Sequence, residues 1–280
     1  MRRRPFGNNG PEVPVIGQGT WHAEERRRDA VRALRRGFDL GLTHVDIAEY
    51  YGDGRAEEVV GEAIAGRRDE VFLVSKVLPE NASRRGTVKA CERSLRRLGT
   101  DRLDGYLLHW LGRHPLAETV AGFEDLRQRG KIRLWGVSNL DEVELEELLA
   151  VPEGGRVACD QVLYHLEERA IEHAMLPFCR ERGIAVVGYS PFGSGHFPSA
   201  DSGGGRVLAE IAAERGVSPR AVALAFLVRE PGTFIIPRSY DPDHVEANAA
   251  AGDLELTQEE TARIDQAFPR GPRRQGVPIL

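Results

Sequence analysis

Short, nearly continuous apolar runs alternate along the chain with longer stretches in which apolar residues recur every three or four positions. Short apolar runs are typical of strands buried on both faces of a sheet, because a strand with one exposed face alternates apolar and polar residues. The runs that predict strands cover residues 16–20, 43–47, 71–77, 103–109, 132–138, 156–161, 184–190 and 233–237. The pattern therefore predicts a buried, parallel sheet.

The stretches between these runs have the periodicity of amphipathic helices, as at Val88, Cys91, Leu95 and Leu98, which share one face. The predicted helices cover residues 55–65, 118–129, 141–149, 172–182, 206–215, 219–229 and 243–250, with similar segments around residues 31–38 and 88–98. Glycine is typical of the position just past a helix end. Six of the predicted helices are followed by one: Gly41, Gly66, Gly99, Gly130, Gly183 and Gly216.

Regular alternation of strands and helices predicts a parallel α/β fold with right-handed crossovers. We favour a (β/α)8 TIM barrel in which residues 1–280 form a single domain, because such barrels commonly fill about 250 residues. An open, doubly wound sheet is the alternative. No abrupt change of composition along the chain indicates a second domain.

Composition narrows the class of protein. The chain is 41% hydrophobic and 29% charged with a net charge of −5, so it has an ordinary globular composition and no basic character that would suggest nucleic acid as a partner. No apolar run approaches the ~20 residues of a membrane span, and no apolar segment follows the basic N-terminus as in a signal peptide. We therefore expect a cytoplasmic protein without a membrane partner, and we expect a monomer.

The three cysteines, Cys91, Cys159 and Cys179, are widely spaced and form no CxxC motif. This usage is typical of a reduced cytoplasmic protein without disulfides. The histidines also lack the spacing of zinc ligands. We therefore expect no metal site.

Polar side chains end most of the predicted strands, and a barrel keeps its catalytic residues at the C-terminal ends of its strands. These residues are Asp46, Lys76, His109, Ser138, Asn139, Gln161, Tyr189, Ser190, Arg238 and Ser239. A charged residue that ends an apolar strand is costly unless it is paired. Asp46 and Lys76 lie on successive strands, so we expect them to pair across the barrel mouth, either as catalytic groups or as a structural salt bridge.

Tyr51 lies five residues after Asp46, in the loop that leaves the same strand. Beside a buried ammonium, we expect the pKa of Tyr51 to fall below its ordinary value of about 10, which would suit a general acid near neutral pH. His109 would add a hydrogen-bond donor, although a buried core histidine is the alternative. Lys76 stands out because 35 of the 38 basic residues are arginine, and a tight pocket would need the compact ammonium of lysine.

Eight short motifs follow one another along the chain: GQGTW at 17–21, DIAEYYG at 46–52, VSK at 74–76, LLHW at 107–110, WGVSN at 135–139, DQ at 160–161, GYSP at 188–191 and IPRS at 236–239. In this order they resemble the motifs of the aldo-keto reductase family. The resemblance covers nearly the whole chain and is nearest to bacterial reductases of methylglyoxal and other small aldehydes. Ile47 stands where the family motif has threonine.

The resemblance implies a (β/α)8 barrel with an N-terminal β-hairpin at about residues 2–14, and hydride transfer from NADPH to a small aldehyde or ketone. Tyr51 would protonate the alkoxide, Asp46 and Lys76 would tune Tyr51, and His109 would orient the carbonyl oxygen. The implied cofactor residues are Thr20, Trp21, Ser138, Asn139, Gln161, Tyr189, Ser190, Phe192, Arg238, Ser239, His244 and Asn248. The implied substrate pocket comprises Trp21, Tyr50, Leu78 and Trp110.

The chain departs from the family at the site for the cofactor 2′-phosphate. Arg238 replaces a lysine, His244 an arginine and Ala247 a glutamate, whereas Asn248 is retained. We therefore expect a modest preference for NADPH, with NADH also usable. We interpret the glycines at 193–195 and 203–205 as a mobile loop near the cofactor. The alternative function is a nicotinamide-binding redox sensor or regulatory subunit with little turnover, since fold alone does not determine function.

Overall fold

The computed structural model describes residues 1–8 and 10–279, and its strands and helices follow the order that the sequence predicts. The strands are β1 (Arg3–Pro5), β2 (Glu12–Pro14), β3 (Gln18–Gly19), β4 (His44–Asp46), β5 (Phe72–Val77), β6 (Leu103–Leu108), β7 (Ile132–Ser138), β8 (Cys159–Leu163), β9 (Ala185–Tyr189) and β10 (Thr233–Ile235). The α-helices are α1 (Arg27–Asp39), α2 (Arg55–Ile64), α3 (Arg84–Leu98), α4 (Leu116–Gln128), α5 (Glu142–Ala150), α6 (Met175–Arg182), α7 (Gly203–Arg215), α8 (Pro219–Leu227), α9 (Pro242–Ala251) and α10 (Gln258–Ala267).

Across the described residues, β3 to β10 form one sheet of eight parallel strands in sequential order. Its two edges meet, because Gly17 N donates to Ile235 O at 2.8 Å and Ile235 N donates to Val15 O at 2.9 Å. A sheet closed in this way is a barrel with no free edge. The predicted (β/α)8 barrel is therefore confirmed, and the open sheet is wrong.

The predicted N-terminal hairpin is also confirmed. Strands β1 and β2 pair antiparallel, with Arg3 opposite Pro14. Phe6, which follows β1, is buried against the rings of Phe72 and Phe234 at the N-terminal ends of β5 and β10, with centroid distances of 4.9 and 5.1 Å. The hairpin therefore covers the base of the barrel and leaves the C-terminal ends of the strands as the open mouth.

Local signals account for most helix ends. The six glycines that the sequence places after helices all have φ between 63° and 86°, a conformation that glycine adopts without steric cost. Helix α10 was not predicted, although Thr257 and Glu260 form a capping box at its start, which is a recognisable sequence signal. Within residues 1–8 and 10–279, no helix has both the length and the apolar character needed to cross a membrane.

Three of the predicted boundaries differ clearly from those in the structure. The glycines at 203–205 lie in the first turn of α7 and not in a loop, because Ser202 Oγ accepts a hydrogen bond from Gly205 N at 2.9 Å and caps the helix. The strand predicted at 156–161 begins only at Cys159, since Gly154–Arg156 forms a 3-10 turn. The helix predicted from 172 begins at Met175, after a separate 3-10 turn at Ala170–Glu172.

Candidate active site

Asp46 and Lys76 pair inside the barrel mouth, as expected from their places at the ends of neighbouring strands. Lys76 Nζ donates to Asp46 Oδ1 at 2.6 Å, to Ile47 O at 3.2 Å and to Tyr51 Oη at 3.2 Å. The Lys76 side chain has no exposed area and that of Asp46 only 2%. One compact, buried ammonium therefore joins a buried carboxylate to the phenol of Tyr51, whose side chain is partly buried.

The prediction that Lys76 lowers the pKa of Tyr51 below its ordinary value is wrong. Burial raises the pKa of this phenol, because a phenolate is costly away from water. Lys76 opposes this effect, but the negative charge of Asp46 adds to it. The sequence indicates the neighbours of Tyr51 but not how deeply its hydroxyl is buried.

Lys76 remains a cation. Burial alone would lower the pKa of its ammonium, but Asp46 and Tyr51 raise the pKa above the ordinary value. Asp46 is held from its other side as well, since Gln161 Nε2 donates to Asp46 Oδ2 at 2.7 Å. The sequence could not indicate this contact, because it joins residues 115 positions apart.

His109 follows β6, and its ring lies 5.8 Å from the ring of Tyr51 between centroids. Burial, reinforced by the charge of Lys76, lowers the pKa of His109 to about 2. The imidazole is therefore neutral at physiological pH. Its Nδ1 is buried and has no hydrogen-bond partner among the residues that the structure describes.

Ser138, Asn139 and Tyr189 come together beside these groups, at the ends of β7 and β9. Asn139 Nδ2 donates to Ser138 Oγ at 3.0 Å and to His109 O at 3.2 Å. Tyr189 Oη donates to Asn139 Oδ1 at 3.0 Å, and Ser138 Oγ donates to Gln161 O at 2.7 Å. Asn139 has a φ of 65°, an uncommon conformation that directs its amide toward these partners. The result is a compact set of amide and hydroxyl groups.

A second group lies after β10. Arg238 and His244 are exposed, and Asn248 is buried on α9. Ser239 Oγ accepts a hydrogen bond from Asp241 N at 3.1 Å and so shapes the turn into that helix. Arg238 has no carboxylate partner within residues 1–8 and 10–279. Its charge is therefore available to an anion.

The remaining predicted cofactor residues lie in the loops after β3 and β9. Thr20 is buried and its Oγ1 donates to Asp46 O at 2.7 Å, so it supports the backbone of the strand that carries Asp46. Ser190 has a φ of 51° and accepts a hydrogen bond from Ser194 Oγ at 3.1 Å. The ring of Phe192 packs edge-on against Phe197 at 5.7 Å.

Aromatic rings surround the opening. Trp21 and Tyr50 are 40% and 47% exposed, and their ring centroids lie 5.6 Å apart. The Tyr50 ring also contacts that of Trp110, edge-on at 5.7 Å. The three predicted aromatic residues of the substrate pocket thus form one rim.

A model of the "Aldo/keto reductase family" matches residues 15–268. The chain belongs to the aldo/keto reductase family. It is 46% identical to methylglyoxal reductase YeaE of Escherichia coli, over 92% of each chain. It is 33% identical to a glyoxal reductase of Bacillus subtilis, over 92% of this chain and 90% of that one. An aldo/keto reductase from Klebsiella pneumoniae, crystallised in complex with NADP and acetate, matches it over the full length of both chains with 43% identity and a TM-score of 0.94.

The groups around the mouth of this reductase fit a nicotinamide dinucleotide. The half-buried ring of Tyr189 lies beside the amide of Asn139, and a flat ring with a carboxamide needs an aromatic face and amide partners. After β10, the exposed Arg238 suits a phosphate, to which a guanidinium donates two parallel hydrogen bonds. The residues present therefore include partners for the carboxamide and for a phosphate of such a cofactor.

Glu49 of the reductase has a structural role that the sequence analysis did not identify, although it lies within the DIAEYYG motif. Its carboxylate is largely buried, and Oε1 accepts hydrogen bonds from Leu78 N and Asn81 Nδ2, both at 2.9 Å. Arg93 approaches the other oxygen at 3.3 Å. Glu49 thus holds the loop that carries Leu78, the remaining residue of the predicted substrate pocket.

His22, Glu24 and Glu25 place potential ligand atoms within 4.8 Å of one another at the edge of the mouth. His22 Nδ1 lies 2.8 Å from Glu25 Oε1, which is an ordinary contact between a histidine and a carboxylate three residues apart. A surface pair of this kind does not require a metal ion.

Proposed function

We propose that this aldo/keto reductase uses NADPH to reduce small aldehydes or 2-oxoaldehydes to alcohols, with Tyr51 as general acid. The contact of Lys76 Nζ with both Asp46 Oδ1 and Tyr51 Oη carries this proposal. It links a proton donor to a fixed positive charge at the mouth of the barrel. The relatives named for methylglyoxal and glyoxal reduction support the substrate class, as does the aromatic rim formed by Trp21, Tyr50 and Trp110.

NADPH, when bound, supplies the hydride. Tyr51 donates its phenolic proton to the carbonyl oxygen as negative charge develops there. Burial raises the pKa of this phenol and so keeps the proton in place until it is needed. Lys76, at 3.2 Å, then stabilises the phenolate that forms, because its ammonium is already oriented toward the oxygen that gains the charge.

The other residues of the site position these groups. Asp46 and Gln161 keep Lys76 in place through the two oxygens of the carboxylate. His109 is neutral, so in this proposal it orients the carbonyl oxygen by hydrogen bonding and does not supply the proton. Asn139 and Tyr189 would hold the carboxamide and cover one face of the nicotinamide ring.

Spectrophotometric oxidation of NADPH with methylglyoxal, glyoxal and a series of simple aldehydes tests the function. We expect turnover with the small 2-oxoaldehydes and a fall in kcat/KM as the substrate becomes bulkier. If NADPH binds tightly but no member of the panel is reduced, the redox sensor or regulatory subunit replaces the reductase as the better proposal.

We also propose that residues 1–280 act as a single-domain cytoplasmic monomer. The three cysteines are free and buried, which is consistent with a reducing compartment. Sedimentation equilibrium at micromolar concentration tests the oligomeric state, with a mass near 31.0 kDa expected. A dimer mass would contradict it.

A further inference from the structure

The backbone carbonyl of Trp21, in the loop after β3, accepts hydrogen bonds from two side chains of the segment after β10. Tyr240 Oη donates to this oxygen at 2.8 Å, and Arg238 Nη1 donates to it at 3.1 Å. The two donors belong to the segment that also carries Ser239 and His244. The aromatic rim is therefore tied directly to the predicted phosphate site.

The position of Trp21 matters because its indole stands edge-on against Tyr51, with centroids 4.8 Å apart and an interplanar angle of 88°. The indole is substantially exposed, so packing on its outer side does not fix it. His22, the next residue, has a φ of 61° and begins a sharp turn. The hydrogen bonds to the Trp21 carbonyl therefore fix the backbone from which the indole projects, and the rings of His22, Tyr50 and Tyr51 contact the indole itself.

The two donors to Trp21 differ in what else they can bind. Arg238 is exposed and its guanidinium suits the cofactor phosphate, so a bound phosphate competes with the Trp21 carbonyl for it. Tyr240 is only 8% exposed. Burial raises the pKa of its phenol above the ordinary value, so the hydroxyl stays protonated and able to donate at neutral pH.

We propose that Tyr240 is a positioning residue that holds Trp21 against Tyr51 when Arg238 is engaged by the cofactor. This inference rests on the proposed function, because it takes Trp21 to border the carbonyl substrate. Tyr240 would then affect the affinity of the enzyme for a small substrate but not its affinity for the cofactor.

Tyr240→Phe removes the hydroxyl and almost no volume. With NADPH we expect the KM for methylglyoxal to rise about 3- to 10-fold, as for loss of one buried hydrogen bond, while the Kd of NADPH changes less than twofold. With NADH, which carries no 2′-phosphate, Arg238 keeps its bond to Trp21 and the KM should rise less than twofold. Tyr106→Phe is the matched control, since the Tyr106 hydroxyl is buried without a hydrogen-bond partner among the described residues.

A second readout does not depend on turnover. Labelling with 5-fluorotryptophan gives one 19F resonance for each of Trp21, Trp110 and Trp135, and Trp21→Phe assigns the first. In Tyr240→Phe saturated with NADPH, the Trp21 resonance should shift or broaden. That of Trp135 should not, because this buried indole donates to Glu124 Oε1 at 2.8 Å, far from the change.

An unmoved Trp21 resonance together with an unchanged KM would overturn the positioning role. If the KM of Tyr240→Phe for methylglyoxal rises equally with NADPH and NADH, Arg238 does not replace Tyr240 as the donor to Trp21 when the 2′-phosphate is absent, and that part of the proposal is overturned. If the wild type reduces no carbonyl compound, the proposed function fails, and the 19F spectra alone then decide whether Tyr240 positions Trp21.

Discussion

Two histidines lie at opposite ends of the barrel, and burial makes both of them neutral. His44 begins β4 at the base, and burial together with the charge of Lys76 lowers its pKa to about 3. His109 follows β6 at the mouth, and the same two causes lower its pKa to about 2. Among the described residues, neither Nδ1 has a hydrogen-bond partner. By pKa alone the two residues look alike.

Their neighbours distinguish them. The ring of His44 contacts those of Phe6 and Phe72 edge-on at 5.7 and 5.5 Å, inside a core of hydrocarbon. The ring of His109 instead faces Tyr51 and Trp110 at the rim. A strongly lowered pKa therefore reports burial, whereas a role in chemistry requires an opening and other ionisable groups within reach.

The largest expected effect lies at the mouth. Tyr51→Phe removes one proton donor and almost no volume, so carbonyl reduction should fall by about 10² to 10⁴ while the Kd of the cofactor stays nearly constant. Steady-state kinetics and a fluorescence titration with NADPH measure the two quantities. A mutant that keeps turnover within about threefold of wild type would show that Tyr51 is not the acid.

Replacing each histidine by leucine tests the comparison directly. His109→Leu should lower kcat by about 10² to 10³, the usual loss when one donor to a reacting oxygen is removed. His44→Leu should leave kcat within about twofold, because it replaces a ring in the hydrocarbon core at the other end of the barrel. Similar losses of kcat in the two variants would show that His109 has no catalytic role that His44 lacks.

A third histidine, the exposed His244, lies after β10 and stands where the family has an arginine. Losing one charge-assisted bond to the cofactor phosphate should reduce the preference for NADPH over NADH by about 10- to 150-fold. Measurements of kcat/KM with both cofactors test this. A preference for NADPH above about 10³ contradicts it.

The smallest expected effect concerns stability at the base. His44 binds a proton below pH 6.5 in the unfolded chain but only below about pH 3 when folded. Stability therefore falls as the pH decreases between these values, by about 2 kcal/mol for this group from pH 7.5 to 5. When urea unfolding is measured at both pH values, the free energy of unfolding of His44→Leu should fall by about 2 kcal/mol less than that of the wild type. An equal loss in wild type and variant would mean that His44 does not stay neutral in the folded protein.

The order of elements in this barrel follows from local sequence. Continuous apolar runs indicate the buried strands, apolar residues every three or four positions indicate the helices, and glycines mark many helix ends. These signals were enough to predict the barrel. They also placed Asp46, Lys76 and His109 at the ends of strands. The strand ends also indicated Tyr189, Arg238 and Ser239, whereas the family resemblance added their roles and the positions of His244 and Asn248. Helix α10 was not predicted, but the sequence could have indicated it, since its capping box is a local signal.

The pKa of Tyr51 and the long-range hydrogen bonds of the site were determined only by the tertiary structure. The pKa of Tyr51 rises where the sequence analysis predicts a fall, because burial depends on side chains from several strands at once. The bonds from Gln161 to Asp46 and from Tyr240 to the Trp21 carbonyl join residues 115 and 219 positions apart. Local periodicity determines which segments become strands and helices, whereas solvent exclusion and long-range charge arise only once the barrel has closed around them.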